Sequence, residues 1–210
     1  RDRVLIDPGV LATLAEEQFV SGMAEVVKHG VIRDKSLFSF IEDNLERIKA
    51  GSVNEIAELI WRNCRIKADV VAEDEREENL RQILNFGHTV GHAVEAFSSY
   101  RWLHGQCVAL GMSVEADIAC RMGLLKAGEA ARLDSLLGSL GLPVELGDLQ
   151  APAGKLIEIT LQDKKARGGR PRYALPCAIG RMATSRDGAY GLEVEDSVAS
   201  QALVAKGAVE

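Results

Sequence analysis

A chain of 210 residues with 47% apolar and 27% charged side chains has globular composition, which excludes a disordered, collagenous or low-complexity protein. The net charge of −6, from 25 basic and 31 acidic residues, implies no broad basic surface and speaks against nucleic-acid binding. No apolar run reaches the roughly 18 to 20 residues of a membrane span, so no membrane partner is expected. Aromatic residues make up only 5%, so aliphatic side chains must build the core, which favours helix packed on helix.

In chain order, Val4-Leu5-Ile6 reads as a short strand closed by a turn at Asp7-Pro8-Gly9. From about Glu16 to Lys126 the pattern is helical. Residues 20–32 are nearly all apolar or small, and Glu25 and Lys28, three apart, share a helix face. Over 53–72, Val53, Ile56, Ala57, Ile60, Cys64 and Val71 form an apolar stripe at helical spacing. Lys67 falls on that stripe, where an ammonium is costly unless it snorkels to the surface or meets a ligand. A charged run occupies 73–81, of the kind that forms a solvated face or loop.

Residues 105–122 predict a central helix that is apolar almost all round. The helix predicted over 129–140 carries Leu133, Leu136, Leu137 and Leu140 on one face, and Gly141 and Pro143 end it. Beyond Pro143, Lys155–Lys165 predicts a helix, 172–176 and 179–184 two short strands around a turn, and 193–206 a last helix. The four cysteines, at 64, 107, 120 and 177, form no CxxC pair. The first three lie in helical patterns where cysteine acts as a small buried hydrophobe. With no signal-peptide or transit-peptide shape at the start, they point to a reducing cytosol and a cytoplasmic protein.

The chemistry concentrates in the histidines. His88, His92 and His104 lie within 17 residues, and His88 and His92 are at i, i+4. That spacing suits a zinc pair on one helix face, although the glutamate of H-E-x-x-H is missing; two independent histidines are the competing reading. Asn85, Gly87, Gly91 and Glu95 crowd the same run. The surplus polar groups need partners, which a metal or a polar substrate would supply. The glycines allow close approach of another backbone or of a ligand. There is no Rossmann fingerprint, Walker A loop or Gly-x-Ser-x-Gly elbow.

Several segments together resemble the 3-dehydroquinate synthase family. They are Ser21-Gly22-Met23-Ala24-Glu25-Val26-Val27-Lys28, Lys67-Ala68-Asp69-Val70-Val71, Asp74-Glu75-Arg76-Glu77, the run from Arg81 to Glu95, Leu103-His104-Gly105 and Asp163-Lys164-Lys165. They stand in the family's order from Val4 to about Arg181. The resemblance implies a mainly α fold, the multihelical C-terminal domain of a dehydroquinate synthase-like protein, with a short N-terminal strand and a small β-hairpin near 172–184. Residues 1–14 would be the last strand and linker of an NAD-binding domain, and 15–210 the metal- and substrate-binding domain.

Carried over motif by motif, the resemblance implies zinc, with cobalt as an alternative, on Glu25, His88 and His104. Glu77 and His92 would be proton acceptors. Lys28, Lys67, Arg81, Asn85, His92 and one lysine of the last motif, with Lys164 preferred, would contact substrate. The implied reaction turns 3-deoxy-D-arabino-heptulosonate 7-phosphate into 3-dehydroquinate and phosphate, by transient oxidation with NAD, phosphate elimination, re-reduction, ring opening and aldol closure. That is a step of the shikimate pathway to aromatic amino acids. A homodimer is a further expectation. Two positions depart from the family: Asn79 stands where glycine is usual, which suggests a left-handed turn that asparagine tolerates, and Gln106 where glutamate is common. The rival readings are a sister sugar-phosphate cyclase, a glycerol-dehydrogenase-like metal enzyme, and a folded zinc-binding fragment without activity.

Overall fold

The computed structural model describes residues 5–76, 78–166 and 171–210, without the side chains of 163–166. Its helices are α1 (Glu16–Ile32), α2 (Lys35–Asp43), α3 (Leu45–Lys49), α4 (Val53–Glu73), α5 (His88–Phe97), α6 (His104–Arg121), α7 (Ala127–Ser139), α8 (Ala153–Ala166) and α9 (Asp196–Ala205). Short 3-10 turns span Pro8–Thr13, Leu80–Asn85 and Gly147–Leu149.

The helix that was expected to be buried all round, α6, is the centre of the molecule. It packs against α1 and α5 on one side and α7 and α9 on another. Its interior residues, including Val108, Leu110, Met112, Val114 and Ile118, are fully buried, and small residues set how closely its neighbours approach. At Gly111 an added Cβ would lie 1.9 Å from the carbonyl oxygen of Gly87, so backbone meets backbone where α5 begins. Gly87 itself has φ of +78°, a conformation that glycine adopts without strain. The close approach offered by this glycine-rich run is therefore spent on another backbone.

Helix ends follow their local chemistry. Asp34 caps α2 by accepting from the Ser36 and Leu37 amides at 2.9 and 3.0 Å. Gln106 Oε1 accepts from the Leu103 amide at 2.9 Å, fixing the start of α6. Gly141, with φ of +81°, closes α7 as its sequence position predicts. The C-terminal stretch is tied back by Val209, whose carbonyl accepts from Ala153 and whose amide donates to Ala151.

Several expectations need correction. Leu5 and Ile6 are exposed and lie in no strand; Val4 lies outside the described residues. The strands near 172–184 split between two partners. β2 (Pro176–Ala178) and β3 (Arg181–Met182) form the hairpin, while β1 (Tyr173–Ala174) pairs with β4 (Gly191–Leu192). On α4 the buried face runs through Ile56, Leu59, Ile66 and Val70, so Val53 and Cys64 are exposed. Apolar residues flank that face on both sides, which let the sequence pattern choose a neighbouring stripe. All four cysteines are free, and only Cys107 is buried. Among the described residues no helix is long and apolar enough to cross a membrane.

Candidate metal centre and its cavity

Three helices converge at one point. Glu25 lies midway along α1, His88 is the first residue of α5 and His104 the first of α6. One ligand atom from each lies within 4.8 Å of the other two. His88 Nε2 stands 3.5 Å from Glu25 Oε1. The placement follows from packing: α1 and α5 both lie on α6, and the Gly105 amide of α6 donates to Ser21 Oγ of α1 at 3.0 Å, one turn before Glu25.

The charges around this point are arranged for a cation. Glu25 Oε2 pairs with Lys28 Nζ at 2.7 Å, while Oε1 is buried and has no hydrogen-bond partner among the described residues. Burial alone would raise the Glu25 carboxyl, but the Lys28 ammonium, with His88, holds it below the usual range. Burial, reinforced by the positive charge of Lys28, lowers the His88 imidazole to about 4. At neutral pH it is therefore uncharged, the form that ligates metal. The ring is also oriented: Nδ1 lies 3.1 Å from the Phe86 carbonyl, leaving Nε2 towards Glu25. A buried carboxylate oxygen without a donor, beside a neutral imidazole, fits a divalent cation.

A cavity of about 300 Å³ opens beside this set, lined by Glu25, Lys28, His29, Lys67, Arg81, Leu84, Asn85 and His88. Four of the expected substrate contacts, Lys28, Lys67, Arg81 and Asn85, thus share one cavity. Lys28 is the buried lysine, donating to the Leu84 carbonyl at 2.8 Å as well as pairing with Glu25. Lys67, expected on an apolar stripe, is exposed at the rim. His92 is exposed on α5, its ring centroid 5.3 Å from that of His88 and 6.0 Å from that of His104. Glu77 and the side chain of Lys164 lie outside the described residues. His29 is bound to Asn63 at 2.5 Å, and burial lowers its imidazole.

Two carboxylates have positioning roles that the sequence reading did not assign, although Asp74 stands in one of the segments that resemble the family. Asp74 accepts from the amides of Glu78, Asn79 and Arg81 at 2.8 to 2.9 Å, and these bonds hold its carboxyl below the usual range. It folds the charged run into the loop that delivers Arg81. Asn79 does not adopt the left-handed turn expected of it, having φ of −153°. Its side chain instead bridges to the Gly188 carbonyl and the Tyr190 amide, both at 3.0 Å.

Glu115 is fully buried on α6 and accepts from the amides of Gly87 at 2.7 Å and Val90 at 3.2 Å. It caps α5, whose own N-cap offers no side chain, and so sets where His88 begins. Burial pushes its carboxyl up to about 8, against the pull of those amide bonds. An acid flanked by apolar residues in the helix expected to be buried all round was the signal that could have found it.

The chain itself matches known proteins. Residues 22–166 match the family model described as 3-dehydroquinate synthase C-terminal. The chain belongs to the 3-dehydroquinate synthase family. It is 42% identical over 206 residues to the 3-dehydroquinate synthase of Pelotomaculum thermopropionicum, covering 98% of this chain and 55% of that protein. It is 40% identical over 208 residues to that of Acaryochloris marina, covering 96% of this chain and 52% of that protein. This chain spans about half the length of these curated relatives.

Among solved structures, it superposes on 2-epi-5-epi-valiolone synthase from Streptomyces hygroscopicus, solved with NAD+ and Zn2+ bound. The TM-score is 0.81 at 26% identity, over 96% of this chain and 54% of that one. It also superposes on 2-deoxy-scyllo-inosose synthase complexed with carbaglucose-6-phosphate, NAD+ and Co2+. There the TM-score is 0.82 at 25% identity, over 95% of this chain and 54% of that one.

Proposed function

We propose that this chain is the metal- and substrate-binding part of a 3-dehydroquinate synthase, a lyase that converts 3-deoxy-D-arabino-heptulosonate 7-phosphate to 3-dehydroquinate and phosphate. The observation that carries the proposal is the convergence of Glu25, His88 and His104 beside a cation-lined cavity, with a buried carboxylate oxygen lacking a donor. The choice of this cyclase over its sisters rests on sequence: the relatives at about 40% identity carry this name, while the sister cyclases match at 25 to 26%.

In this reading Glu25, His88 and His104 hold zinc, with cobalt as a substitute, and NAD is held mainly by a preceding domain, of which residues 1–14 are the end. When bound, zinc supplies a Lewis acid for a substrate hydroxyl and NAD a transient hydride acceptor. The chain's own residues do the rest. Lys28 keeps Glu25 ionised and aimed, and its remaining N–H reaches an anion in the cavity. Lys67 and Arg81 bind carboxylate or phosphate through charge-assisted bonds, and Asn85 adds a neutral donor. Lys164 completes the anion contacts. His92 accepts a proton from the substrate at the edge of the site, and Glu77 is a second acceptor. A small sugar phosphate is the substrate, consistent with a cytoplasmic enzyme of aromatic amino-acid biosynthesis.

Hydride transfer needs the nicotinamide fixed against the substrate carbon, and small misplacements are costly. The chain alone is therefore expected to bind zinc, and sugar phosphate weakly, without turnover when zinc and excess NAD are added. Phosphate release is the measurement. Release that requires NAD and is abolished by Glu25→Ala would refute the reading of this chain as part of an enzyme. Sugar-phosphate binding that ignores zinc would refute the assigned site.

A further inference from the structure

His104 belongs to two constellations. Besides Glu25–His88–His104, the set His92–Glu95–His104 also brings three ligand atoms within 4.8 Å of one another. His92 and Glu95 are three residues apart on α5 and share a face, and His104 opens α6 alongside them. His104 Nδ1 lies 3.5 Å from Glu95 Oε2, the same separation as His88 Nε2 from Glu25 Oε1. Ligand atoms of a tetrahedral zinc, each about 2.0 to 2.1 Å from the metal, stand roughly 3.4 Å apart. Both pairs therefore already sit near the edge of a zinc tetrahedron. The donor chemistry also repeats: two imidazoles and one carboxylate.

We propose that this chain carries a second, weaker divalent-cation site formed by His92, Glu95 and His104, which competes with the first site for His104. A neutral imidazole has one ring nitrogen with a free lone pair, so one ring serves one ion. The second set is the weaker because it replaces the partly buried His88 with the exposed His92, whose water must be stripped on binding, whereas the first set includes a buried oxygen with no donor among the described residues. Glu95 belongs to the second set alone, which makes it the residue that separates the two. Excess metal would also occupy His92; the expected inhibition of turnover, unlike the site itself, rests on the function proposed above.

The test is a calorimetric zinc titration of the metal-free chain, paralleled by cobalt(II) absorption spectra. Wild type should bind one equivalent tightly and a second at least about tenfold more weakly, with the cobalt spectrum of the first ion changing as the second enters. Glu95→Gln and His92→Asn should each remove the second event and leave the first. The double variant Glu25→Gln/His88→Ala should lose the tight event and keep the weak one. A single event in wild type, or two events unchanged in Glu95→Gln, overturns the proposal. Weakening of the tight event by Glu95→Gln, with no second event in wild type, also overturns it and makes Glu95 the residue that orients His104. Loss of the tight event from wild type would instead strike the metal assignment on which the proposed function stands.

Discussion

The two walls of the site are built on different terms. The metal-facing wall, α1, α5 and α6, is set by backbone contact and buried polar bonds: Gly111 against the Gly87 carbonyl, and Glu115 on the first amides of α5. The anion-facing wall is α4 and the loop after it, where Lys67 is exposed and Arg81 is positioned by a loop wrapped around Asp74. The difference teaches that the ligand geometry is preformed by the core, together with the buried Lys28, while Lys67 is exposed and Arg81 half-buried. Substitutions in the first wall should cost stability and in the second only binding.

The sharpest way to break this contrast is Gly111→Val. The new Cβ meets backbone at 1.9 Å, and neither helix can yield without moving the other. A loss above about 4 kcal/mol is expected, a large share of the stability of an ordinary domain. Near-wild-type thermal unfolding would show that α5 and α6 are not locked together. Glu115→Ala comes next. It strands two buried amides, each worth about 1 to 3 kcal/mol, and frees the turn that carries His88. Chemical denaturation reads the loss, and zinc affinity should fall with it. A variant that loses stability but binds zinc as before would separate the cap from the metal wall.

Acid sharpens the comparison from the same side. His88 is lowered to about 4 in the folded, metal-free chain, against about 6.5 unfolded. The unfolded state thus binds the proton more readily. The stability His88 contributes is complete above about pH 6.5 and is lost as pH falls towards 4. His88→Asn should flatten the melting temperature of the metal-free chain across that window; an unchanged slope would show that His88 is not buried as described. The smallest effect on folding is expected from Lys67→Ala. An exposed residue should change stability by less than about 0.5 kcal/mol, while sugar-phosphate binding weakens about tenfold or more. Calorimetry on the zinc-loaded chain decides, and unchanged binding would remove Lys67 from the anion wall.

The same contrast explains what the sequence could and could not convey. The central helix was legible because its apolar pattern admits no solvent face, and Gly141 marked the end of α7. The buried face of α4 was not, because Val53, Ile60, Cys64 and Val71 offer a competing stripe; tertiary packing, against α1, α3 and the 3-10 turns Pro8–Thr13 and Leu80–Asn85, selects Ile56, Leu59, Ile66 and Val70. Spacing alone paired His88 with His92. It could not bring in Glu25, which lies 63 positions away, because tertiary packing supplies that contact; the family resemblance pointed to it instead. The positioning roles of Glu115 and Asp74 were not read because their partners are backbone amides, which leave no pairing pattern in side chains.

The assignment of Glu25, His88 and His104 as one metal site is tested most directly by anomalous diffraction at the zinc edge, from crystals of this chain grown with one equivalent of zinc. The account predicts one peak bonded to Glu25, His88 and His104, with His92 unbonded to it. A peak bonded to both His88 and His92, with Glu25 remote, would contradict it.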